Sequence, residues 1–300
     1  MSASVPHLSV CICTYKRPGL LKRTLESVCA QKTGGLFTHS IVVSDNDKAE
    51  SGRVTAEAMA AGSAVEIKYA VEPRQGIAHA RNNAVRNAKG DYIAFIDDDE
   101  FAPETWLATL FNAIRRFGSD GVLGPVDPHF DEDAPRWVVK GGFYKRPIVA
   151  TGTVLDYKRC RTGNVLLKRE LFAGDEPFNI ECLCGEDQDF FKRQIAAGKT
   201  FLWCHEAPAY EVVPPVRWKR TFLMRRALFR GVFAQRNHGL QPVRVMQAIV
   251  SAPAFLVAAP VALIFGQAAF MTCVFKLSFH TGRLCALVGY NPIQGPYVYD

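Results

Sequence analysis

Three consecutive carboxylates, Asp97-Asp98-Asp99, follow an apolar run, Tyr92–Ile96, that has the composition of a buried strand. Carboxylates this close repel one another unless a cation lies among them. Their oxygens favour Mg²⁺ or Mn²⁺, and these ions in turn bridge the oxygens of a diphosphate. The alternative is a solvated acidic turn, but the strand and Gly90-Asp91 before it favour a metal site. Strand alternation places Asp97 and Asp99 on one side and Asp98 on the other.

A second acidic cluster, Gly185-Glu186-Asp187-Gln188-Asp189-Phe190-Phe191, has the composition of a helix start. Free amides and the helix macrodipole stabilise acidic side chains there, so capping alone explains one or two of them. A glycine, three carboxylates and two aromatic residues in so short a segment indicate a further role. A carboxylate in this position is suited to take a proton from a hydroxyl nucleophile, and we assign that role of general base to Asp187.

The elements that position these clusters alternate along the first hundred residues. The predicted strands are Leu8–Cys13, Ser40–Ser44, Val65–Val71 and Tyr92–Ile96, and the predicted helices are Pro18–Gln31, Gly52–Ala61 and Gly76–Ala88. This alternation predicts an α/β fold with a doubly wound, mostly parallel sheet. Ligands bind beyond the carboxyl ends of such strands, where Thr14-Tyr15, Asp45-Asn46-Asp47 and Asp97 to Glu100 lie.

The middle of the chain continues the pattern with one interruption. Further predicted elements are a helix at Pro103–Phe117, a strand at Gly121–Leu123, a strand at Gly163–Lys168, a helix at Asp187–Ala197, a strand at Thr200–Trp203 and a basic helix at Arg217–Arg236. Residues 125–153 are rich in Pro, Gly and aromatic residues and lack periodicity, which is typical of a functional loop.

The C-terminal part has a different composition. Ala248 to Phe275 carries no charge and is long enough to cross a membrane, which takes about 20 apolar residues. Pro253, Pro260 and Gly266 interrupt it, so a kinked span, a re-entrant hairpin, an interfacial pair of helices and a buried helix pair all remain open. We predict a catalytic domain at 1–236 and a membrane-associated segment at 237–300.

The charge distribution favours a polyanionic partner. The chain carries a formal net charge of +7, and no Asp or Glu lies between Val212 and Tyr299. A phospholipid surface, a diphosphate and a nucleic acid all fit this excess of positive charge. The nine cysteines follow no secreted framework, and the first apolar run is too short for a signal peptide. Free thiols and a cytoplasmic catalytic domain are therefore expected.

Taken in order along residues 8 to 235, the motifs resemble those of family 2 glycosyltransferases with the GT-A fold. The motifs that carry this resemblance are Thr14-Tyr15 with Arg17-Pro18, Asp45, Gly76-Ile77-Ala78 leading to Ala80-Arg81-Asn82, Gly90-Asp91, Asp97–Asp99 and Gly185-Glu186-Asp187. Within that family the chain is most similar to bacterial exopolysaccharide glucosyltransferases of the succinoglycan type. The shared segments are Cys-Thr-Tyr-Lys-Arg-Pro, Leu-Gly-Pro-Val at 123–126, Ala-Pro-Arg-Trp at 134–137 and Gly-Glu-Asp-Gln-Asp-Phe-Phe.

The resemblance implies a role for each matching residue. It implies a nucleotide-sugar site formed by Thr14, Tyr15, Arg17, Asp45, Arg74, Arg81, Asp97, Asp98, Glu186, Arg225 and Arg226. Thr14 and Tyr15 would line the nucleoside pocket, and Asp45 would accept a hydrogen bond from uracil. Arg74 and Arg81 would face the diphosphate or hold the acidic site together. Asp97 and Asp99 would serve the ribose, the sugar and the metal, with Asp99 as a direct ligand of Mn²⁺ or Mg²⁺, and Asp187 would be the base.

Two departures from the family pattern stand out. Relatives often carry a His where this chain has Tyr210, which leaves a second metal ligand unidentified; the nearby His205 is more typical of a structural residue. Processive members carry a Gln-x-x-Arg-Trp motif, whereas this chain has Arg225-Arg226-Ala227 continuing to Gly231. A single addition of sugar is therefore expected. Arg225 and Arg226 would close over the donor diphosphate or form a membrane-facing basic surface.

Other cofactor sites do not match the sequence. Cys182, Cys184, Cys204 and His205 lack the spacing of a zinc ribbon or finger. No Gly-x-Gly-x-x-Gly motif follows the first strand, and there is no P-loop, so nicotinamide, flavin and P-loop nucleotide chemistry are excluded.

The sequence thus predicts an inverting, metal-dependent transfer of a hexose, glucose by resemblance, from a UDP-sugar to a polyprenyl-diphosphate-linked saccharide. The expected location is the cytoplasmic face of a bacterial inner membrane, with the membrane surface and not nucleic acid as partner. A sugar nucleotidyltransferase is a weaker alternative, because the loop after the first strand holds no glycine before Gly19. A non-enzymatic module that binds membranes or nucleic acid through the basic helix is the other alternative.

Overall fold

The computed structural model describes residues 5–130, 133–182, 185–238 and 241–292. Its first part alternates strands and helices as predicted, with ends that differ by a few residues. In chain order the elements are β1 (His7–Thr14), α1 (Pro18–Cys29), β2 (Thr38–Asp45), α2 (Arg53–Gly62), β3 (Ile67–Val71), α3 (Ile77–Asn87) and β4 (Tyr92–Ile96). β1 pairs in parallel with both β2 and β4, and β2 pairs in parallel with β3.

The next part of the chain completes the sheet. Its elements are β5 (Glu100–Phe101), α4 (Trp106–Phe117), β6 (Gly121–Leu123), β7 (Val126–His129), α5 (Arg136–Gly141), β8 (Asn164–Lys168), α6 (Glu186–Ala196), β9 (Phe201–Trp203) and β10 (Ala209–Val212). Within the described residues, seven strands form a sheet in the order β3-β2-β1-β4-β8-β6-β9. β8 runs antiparallel to both of its neighbours, and the other pairs are parallel, so the sheet is mixed and mostly parallel.

A second, smaller sheet has the strand order β5-β10-β7. Sequence patterns did not predict β5, β7, α5 or β10. These elements span two to six residues each, too few to show a period, and β7 contains Pro128. The segment 125–153, predicted to be irregular, therefore contains a strand and a short helix.

Helices cover both faces of the main sheet, as expected for a doubly wound fold. Val10 and Ile12 of β1 pack in one cluster with Leu25 of α1 and Phe111 of α4. Cys11, which points to the other face, packs in a second cluster with side chains of α3 and α6. This alternation along a fully buried strand fixes the register that brings the carboxyl ends of β1 and β4 together.

The chain divides into two compact units at positions other than the predicted residue 236. Unit 1 comprises Met1–Pro128 and Arg146–Val212, and unit 2 comprises His129–Lys145 and Val213–Asp300. The basic helix α7 (Arg220–His238) belongs to unit 2 because it packs along α9. Their backbones approach closely: a Cβ on Gly231 of α7 would lie 2.1 Å from the Phe279 carbonyl oxygen of α9.

The apolar C-terminal segment of unit 2 folds back on itself. α8 (Pro242–Ala262) is followed by a short 3-10 turn, Leu263–Phe265, and by Gly266, whose φ of 100° only glycine adopts readily, before α9 (Gln267–Leu287) returns along α8. Among the described residues, one helical stretch, Pro242–Phe265, is long and apolar enough to cross a membrane by length and composition alone; its most apolar 18 residues have a mean hydropathy of 2.3. The segment is thus a helical hairpin, and its mode of contact with a membrane stays a prediction.

Candidate active site

The carboxyl ends of β1 and β4 lie side by side, and the residues that follow them are hydrogen bonded. The Thr14 hydroxyl donates to Asp98 Oδ2 at 2.7 Å. Arg17 Nη1 lies 3.3 Å from Asp98 Oδ1 and 3.4 Å from Asp99 Oδ2. The prediction that Asp98 points away from Asp99 is therefore wrong: β4 ends at Ile96, and the turn that follows directs both carboxylates to one guanidinium.

Crowding in this turn perturbs the titration of the carboxyl groups. The pKa of Asp98 is raised to about 7: burial and the charge of Asp99 raise it, and Arg17 and the Thr14 hydrogen bond oppose the shift. Removal from water also raises the pKa of Glu100 well above its usual range, with Asp97 and Asp99 adding to the shift. Such a cluster favours a bound cation, because a positive charge would relieve both the desolvation and the repulsion.

Arg81 of α3 joins the two acidic clusters. The buried guanidinium pairs with Glu186 through Nη1, and its Nη2 lies 4.0 Å from Asp97 Oδ1. Burial alone would lower the pKa of Arg81, but the carboxylates of Glu186, Asp97 and Asp187 raise it. Of the two roles expected for Arg81, the structure supports the one that holds the acidic site together. The carboxylates after β4 and those at the start of α6 therefore converge on one locus in unit 1.

Asp187, the predicted base, lies in the first turn of α6 beside this ion pair. Gly185 adopts a φ of 81° at the N-cap and allows the chain to enter the helix. Asp187 Oδ1 accepts a hydrogen bond of 2.7 Å from the Gln188 amide, and the side chain is half-buried. Its Oδ2 accepts no hydrogen bond from the described residues. This oxygen is therefore available to a substrate hydroxyl.

The structure adds residues that the sequence did not identify. The Thr24 hydroxyl of α1 donates to the backbone carbonyls of Asp98 and Glu100, which fixes the acidic turn. A Cβ on Gly163 would lie 2.8 Å from Glu100 Oε1 and 3.0 Å from Asp97 Oδ2, so any side chain at this position would displace these carboxylates. A glycine and a mid-helix threonine carry no local signal for such contacts.

A third addition is an ion pair near Asp97. Arg146 Nη2 lies 3.1 Å from Glu211 Oε2 of β10. The pKa of Asp97 is raised to about 6: desolvation by the surrounding protein raises it most, Arg81 and Arg146 oppose the shift, and Asp99 and Glu211 add to it. The Asp97 side chain nevertheless keeps 46% of its surface exposed, so it remains accessible to a ligand.

Asp45 has a different environment from the one expected. It is 0% exposed and accepts hydrogen bonds from the Asp47 amide, the Gly52 amide and the Tyr69 hydroxyl at 2.7–2.9 Å. These donors fill most of the acceptor sites of a carboxylate. The expected hydrogen bond from uracil is therefore not supported, and Asp45 instead holds the loop between β2 and α2.

Arg74 is also engaged elsewhere. Its Nε and Nη2 form a bidentate pair with the two oxygens of Glu72 at 2.9 and 2.8 Å. Arg86 Nη2 approaches the same carboxylate at 3.3 Å. Arg74 thus does not hold the acidic site together, because its planar fork is already matched to Glu72.

The remaining predicted residues lie in two places. Tyr15 is half-buried in the loop after β1, and Lys16 Nζ lies 5.0 Å from the centre of its ring. The backbone of Lys16 has a positive φ of 55°. Arg225 and Arg226 belong to α7 of unit 2, where Arg225 is exposed and the Arg226 guanidinium lies 4.6 Å from the centre of the Tyr144 ring. Their contact with a donor diphosphate stays a prediction.

Within the described ranges, no three His, Cys, Asp or Glu side chains are close enough to hold a metal by themselves. Mg²⁺ in such sites is commonly bound by one or two carboxylates together with substrate phosphates, and Asp97 and Asp99 fit that pattern. Tyr210 packs on the Phe101 ring with centroids 5.4 Å apart.

The zinc site considered as an alternative involves Cys182, Cys184, Cys204 and His205. The Cys204 thiol donates to Glu206, and Cys184 lies outside the described residues.

Comparison with known proteins agrees with this architecture. The model of the family "Glycosyl transferase family 2" matches residues 9–173. The succinoglycan biosynthesis protein ExoM of Rhizobium meliloti (strain 1021) is 32% identical over 298 residues, which cover 96% of this chain and 95% of that protein. The Escherichia coli UDP-Glc:alpha-D-GlcNAc-diphosphoundecaprenol beta-1,3-glucosyltransferase WfaP is 32% identical over 96 residues, covering 32% of this chain and 36% of WfaP.

A solved structure shows the same fold. The mannosyltransferase PcManGT from Pyrobaculum calidifontis, in complex with GDP-Man and Mn²⁺, superimposes with a TM-score of 0.59 at 18% identity; the match covers 93% of this chain and 87% of that one. The fold is thus GT-A-like. With the family model matched over more than half of the chain, and a relative similar over nearly its whole length, this chain belongs to glycosyl transferase family 2.

Proposed function

We propose that this glycosyltransferase moves a hexose, with inversion at the anomeric carbon, from a UDP-sugar to a saccharide carried on a polyprenyl diphosphate. The observation that carries the proposal is the convergence of the two acidic clusters on Arg81. One cluster is suited to hold a donor diphosphate through a cation, and the other is suited to deprotonate an acceptor. The two functions must lie within one sugar's length of each other, and Arg81 keeps them there.

Donor binding is assigned to the end of the sheet formed by β1 and β4. Asp97 and Asp99 would hold Mn²⁺ or Mg²⁺, and the bound ion would neutralise charge that develops on the leaving diphosphate. Thr14 and Arg17 fix Asp98 and Asp99 in place before the donor arrives. Tyr15, the residue after Thr14, is proposed to stack its ring on the nucleotide base. Preorganisation of this kind lowers the cost of aligning the donor for reaction.

Asp187 is proposed to act on the acceptor. As the acceptor oxygen forms its bond to the anomeric carbon, the bond from that carbon to the diphosphate oxygen breaks, and the electron pair leaves with UDP. The hydroxyl proton passes to Asp187 Oδ2. Attack on the face opposite the leaving group inverts the anomeric centre. General base catalysis contributes roughly 10²- to 10⁴-fold in rate.

The acceptor class rests on the relatives and on the C-terminal unit. ExoM acts in succinoglycan biosynthesis, and the name of WfaP specifies a diphosphoundecaprenol-linked acceptor and a UDP-Glc donor. A lipid-linked acceptor lies at a membrane surface, and the apolar stretch Pro242–Phe265 is compatible with residence there. We propose the cytoplasmic face of a bacterial inner membrane as the site of reaction.

Purified protein with UDP-glucose, Mn²⁺ and an undecaprenyl-diphosphate saccharide tests the proposal. Asp187→Asn should lower kcat by about 10²- to 10⁴-fold, while the Kd for UDP measured by calorimetry changes by less than about threefold. Asp189→Asn is the matched control, because Asp189 lies in the same first turn and pairs with Arg193 at 2.8 Å. Equal losses in the two variants, or a parallel loss of UDP affinity in Asp187→Asn, would remove Asp187 from the role of base.

The metal assignment has its own test. Asp99→Ala should weaken UDP-glucose binding in Mn²⁺ and make the remaining binding insensitive to chelator, because the ion no longer links donor and protein. If binding by this variant still depends on Mn²⁺ as in the wild type, Asp99 is not the ligand.

A further inference from the structure

Arg283 of α9 is a buried cation in unit 2, and no carboxylate of the described residues pairs with it. It is 6% exposed, and its Nε has no hydrogen-bond partner. The centre of the Phe279 ring lies 5.9 Å from the guanidinium carbon. Its backbone is held tightly, because a Cβ on Gly231 of α7 would lie 2.9 Å from the Arg283 amide nitrogen. The α9 backbone at Arg283 is therefore fixed against α7.

The surroundings of Arg283 are positive. No Asp or Glu occurs between Val212 and Tyr299, so α7, α8 and α9 offer no carboxylate. Burial and the charge of Arg244 on α8 both lower the pKa of Arg283. His280, one turn earlier, is also buried with an unpartnered Nδ1, and Lys276 and Arg283 both act on its titration. Grouping these cations without an anion is costly, and a bound anion would remove that cost.

Guanidinium groups bind phosphate through paired hydrogen bonds, and one phosphate has enough oxygens to accept from two arginines at once. The anion has to reach a site at one end of the hairpin formed by α8 and α9. At 1.5 Å of rise per residue, Arg244 lies about 13 Å along α8 before Pro253, and Arg283 lies about 15 Å along α9 after Cys273. Pro253 and Cys273 mark the part of the hairpin nearer its turn. Both arginines therefore lie at the open end of the hairpin, away from the turn at Gly266.

The other end of the hairpin is suited to hydrocarbon. A groove of about 750 Å³ runs between α8 and α9, from Pro253 to Phe265, with Cys273 on its far wall. Val257, Ile264 and Phe265 are among the large apolar side chains exposed here, and α8 buries only small residues, Ala248, Ala252 and Ala259. A helix that is apolar on every side and largely exposed is suited to lipid rather than water.

We propose that the open end of the α8–α9 hairpin binds the phosphate of an anionic membrane phospholipid between Arg283 and Arg244, while the apolar end lies among the acyl chains. This site would hold the enzyme at the depth where a lipid-linked acceptor presents its diphosphate. The inference deepens the proposed function and rests on it for the choice of a membrane partner. A phosphate without an acyl chain would leave the apolar groove and the exposed helix unused.

Vesicle binding by the full-length protein tests the site. The probes are phosphatidylcholine vesicles with and without phosphatidylglycerol, at fixed ionic strength. Arg283→Gln should weaken binding to phosphatidylglycerol vesicles by about tenfold or more, which corresponds to about 1.4 kcal/mol. Binding to phosphatidylcholine alone should not change. Arg236→Gln is the matched control, since it removes the same charge from an exposed position on α7; its loss should stay below about twofold.

A second measurement separates a ligand site from a structural residue. Without lipid, Arg283→Gln should unfold at a temperature equal to or above that of the wild type, because it removes an unpaired buried charge; a structural arginine would give a lower midpoint. Arg244→Gln, at an exposed position, should show the same selective loss of phosphatidylglycerol binding without any risk to folding.

Four results would overturn the proposal. Two concern vesicle binding by Arg283→Gln: unchanged binding to phosphatidylglycerol vesicles, or an equal loss of binding to neutral vesicles. The other two are a rise in the unfolding midpoint of the wild type with inorganic phosphate as large as that with lipid, and binding that depends on Arg283 only when the vesicles contain polyprenyl phosphate. UDP-glucose binding and hydrolysis measured without vesicles keep the two proposals apart. If the variant and the wild type turn over UDP-glucose equally and any of these results is seen, the phospholipid site is rejected and the proposed glycosyltransferase function is not.

Discussion

Replacement of Arg81 by Gln perturbs the contact that joins the two acidic clusters. The guanidinium is buried, and so is its partner Glu186. Removing one member of a buried pair leaves the other charge uncompensated, at a cost of about 3–5 kcal/mol. At roughly 2–4 °C per kcal/mol for a domain of about this size, the unfolding midpoint should fall by about 6–20 °C. Asp97 also loses its nearby cation, so the loss should lie toward the upper end.

Thermal and urea unfolding followed by circular dichroism measure this change. Arg86→Gln is the control, because Arg86 lies on the same helix but pairs with Glu72 at 3.3 Å in a partly exposed position, where a pair contributes about 0–1 kcal/mol. The double variant Arg81→Gln with Glu186→Gln should recover part of the loss, since no buried charge is then left at either position. If Arg81→Gln unfolds within about 1 kcal/mol of the wild type, Arg81 does not join the clusters as described.

Three further outcomes follow from the site. The folded chain holds a proton on Asp98 (pKa about 7) that the unfolded chain releases near pH 4. The free energy of unfolding of the metal-free protein should therefore fall as pH rises from about 4 to 7. Denaturant titrations at several pH values measure this slope, and Asp98→Asn should flatten it. Gly163→Ala places a methyl group against Glu100 and Asp97, so the rate of sugar transfer should drop about tenfold or more. Gly62→Ala in α2 is the control, because a Cβ there meets nothing within 4 Å and the transfer rate should not change. Equal transfer rates in the two variants would contradict the close approach at Gly163. Tyr69→Phe removes the 2.7 Å hydrogen bond to Asp45 and should lower the free energy of unfolding by about 1 kcal/mol, while the Kd for UDP stays unchanged. A loss of UDP affinity in this variant would instead support a contact between Asp45 and uracil.

The sequence was sufficient to predict the elements that carry strong periodicity. β4 was predicted with its observed ends, and β1 and β2 with ends one or two residues too short, because long apolar β-branched runs leave few alternatives. The family and the fold were also predicted, from an ordered set of motifs. Elements as short as β5 and β10 carry no such signal, since pairing between distant segments, and not local composition, determines them.

Individual site contacts were predicted less well than the elements. Nothing local in the sequence shows that Glu72 occupies Arg74, or that Tyr69 and the Gly52 amide enclose Asp45. These are tertiary hydrogen bonds between neighbouring loops. The predicted boundary at residue 236 rested on composition, whereas the close contact of Gly231 with Phe279 groups α7 with α9. That contact depends on packing between helices far apart in sequence.

The location of the metal relative to the base tests the central claim most directly. Crystals of the enzyme with UDP and Mn²⁺, measured at an anomalous wavelength, would show the ion directly. We expect a single Mn²⁺ peak at about 2.0–2.3 Å from a carboxylate oxygen of Asp97 or Asp99, bridging the diphosphate, with Asp187 across a gap that fits one hexose. A Mn²⁺ ion bound away from these aspartates, or an Asp187 side chain directed away from the diphosphate, would contradict the account.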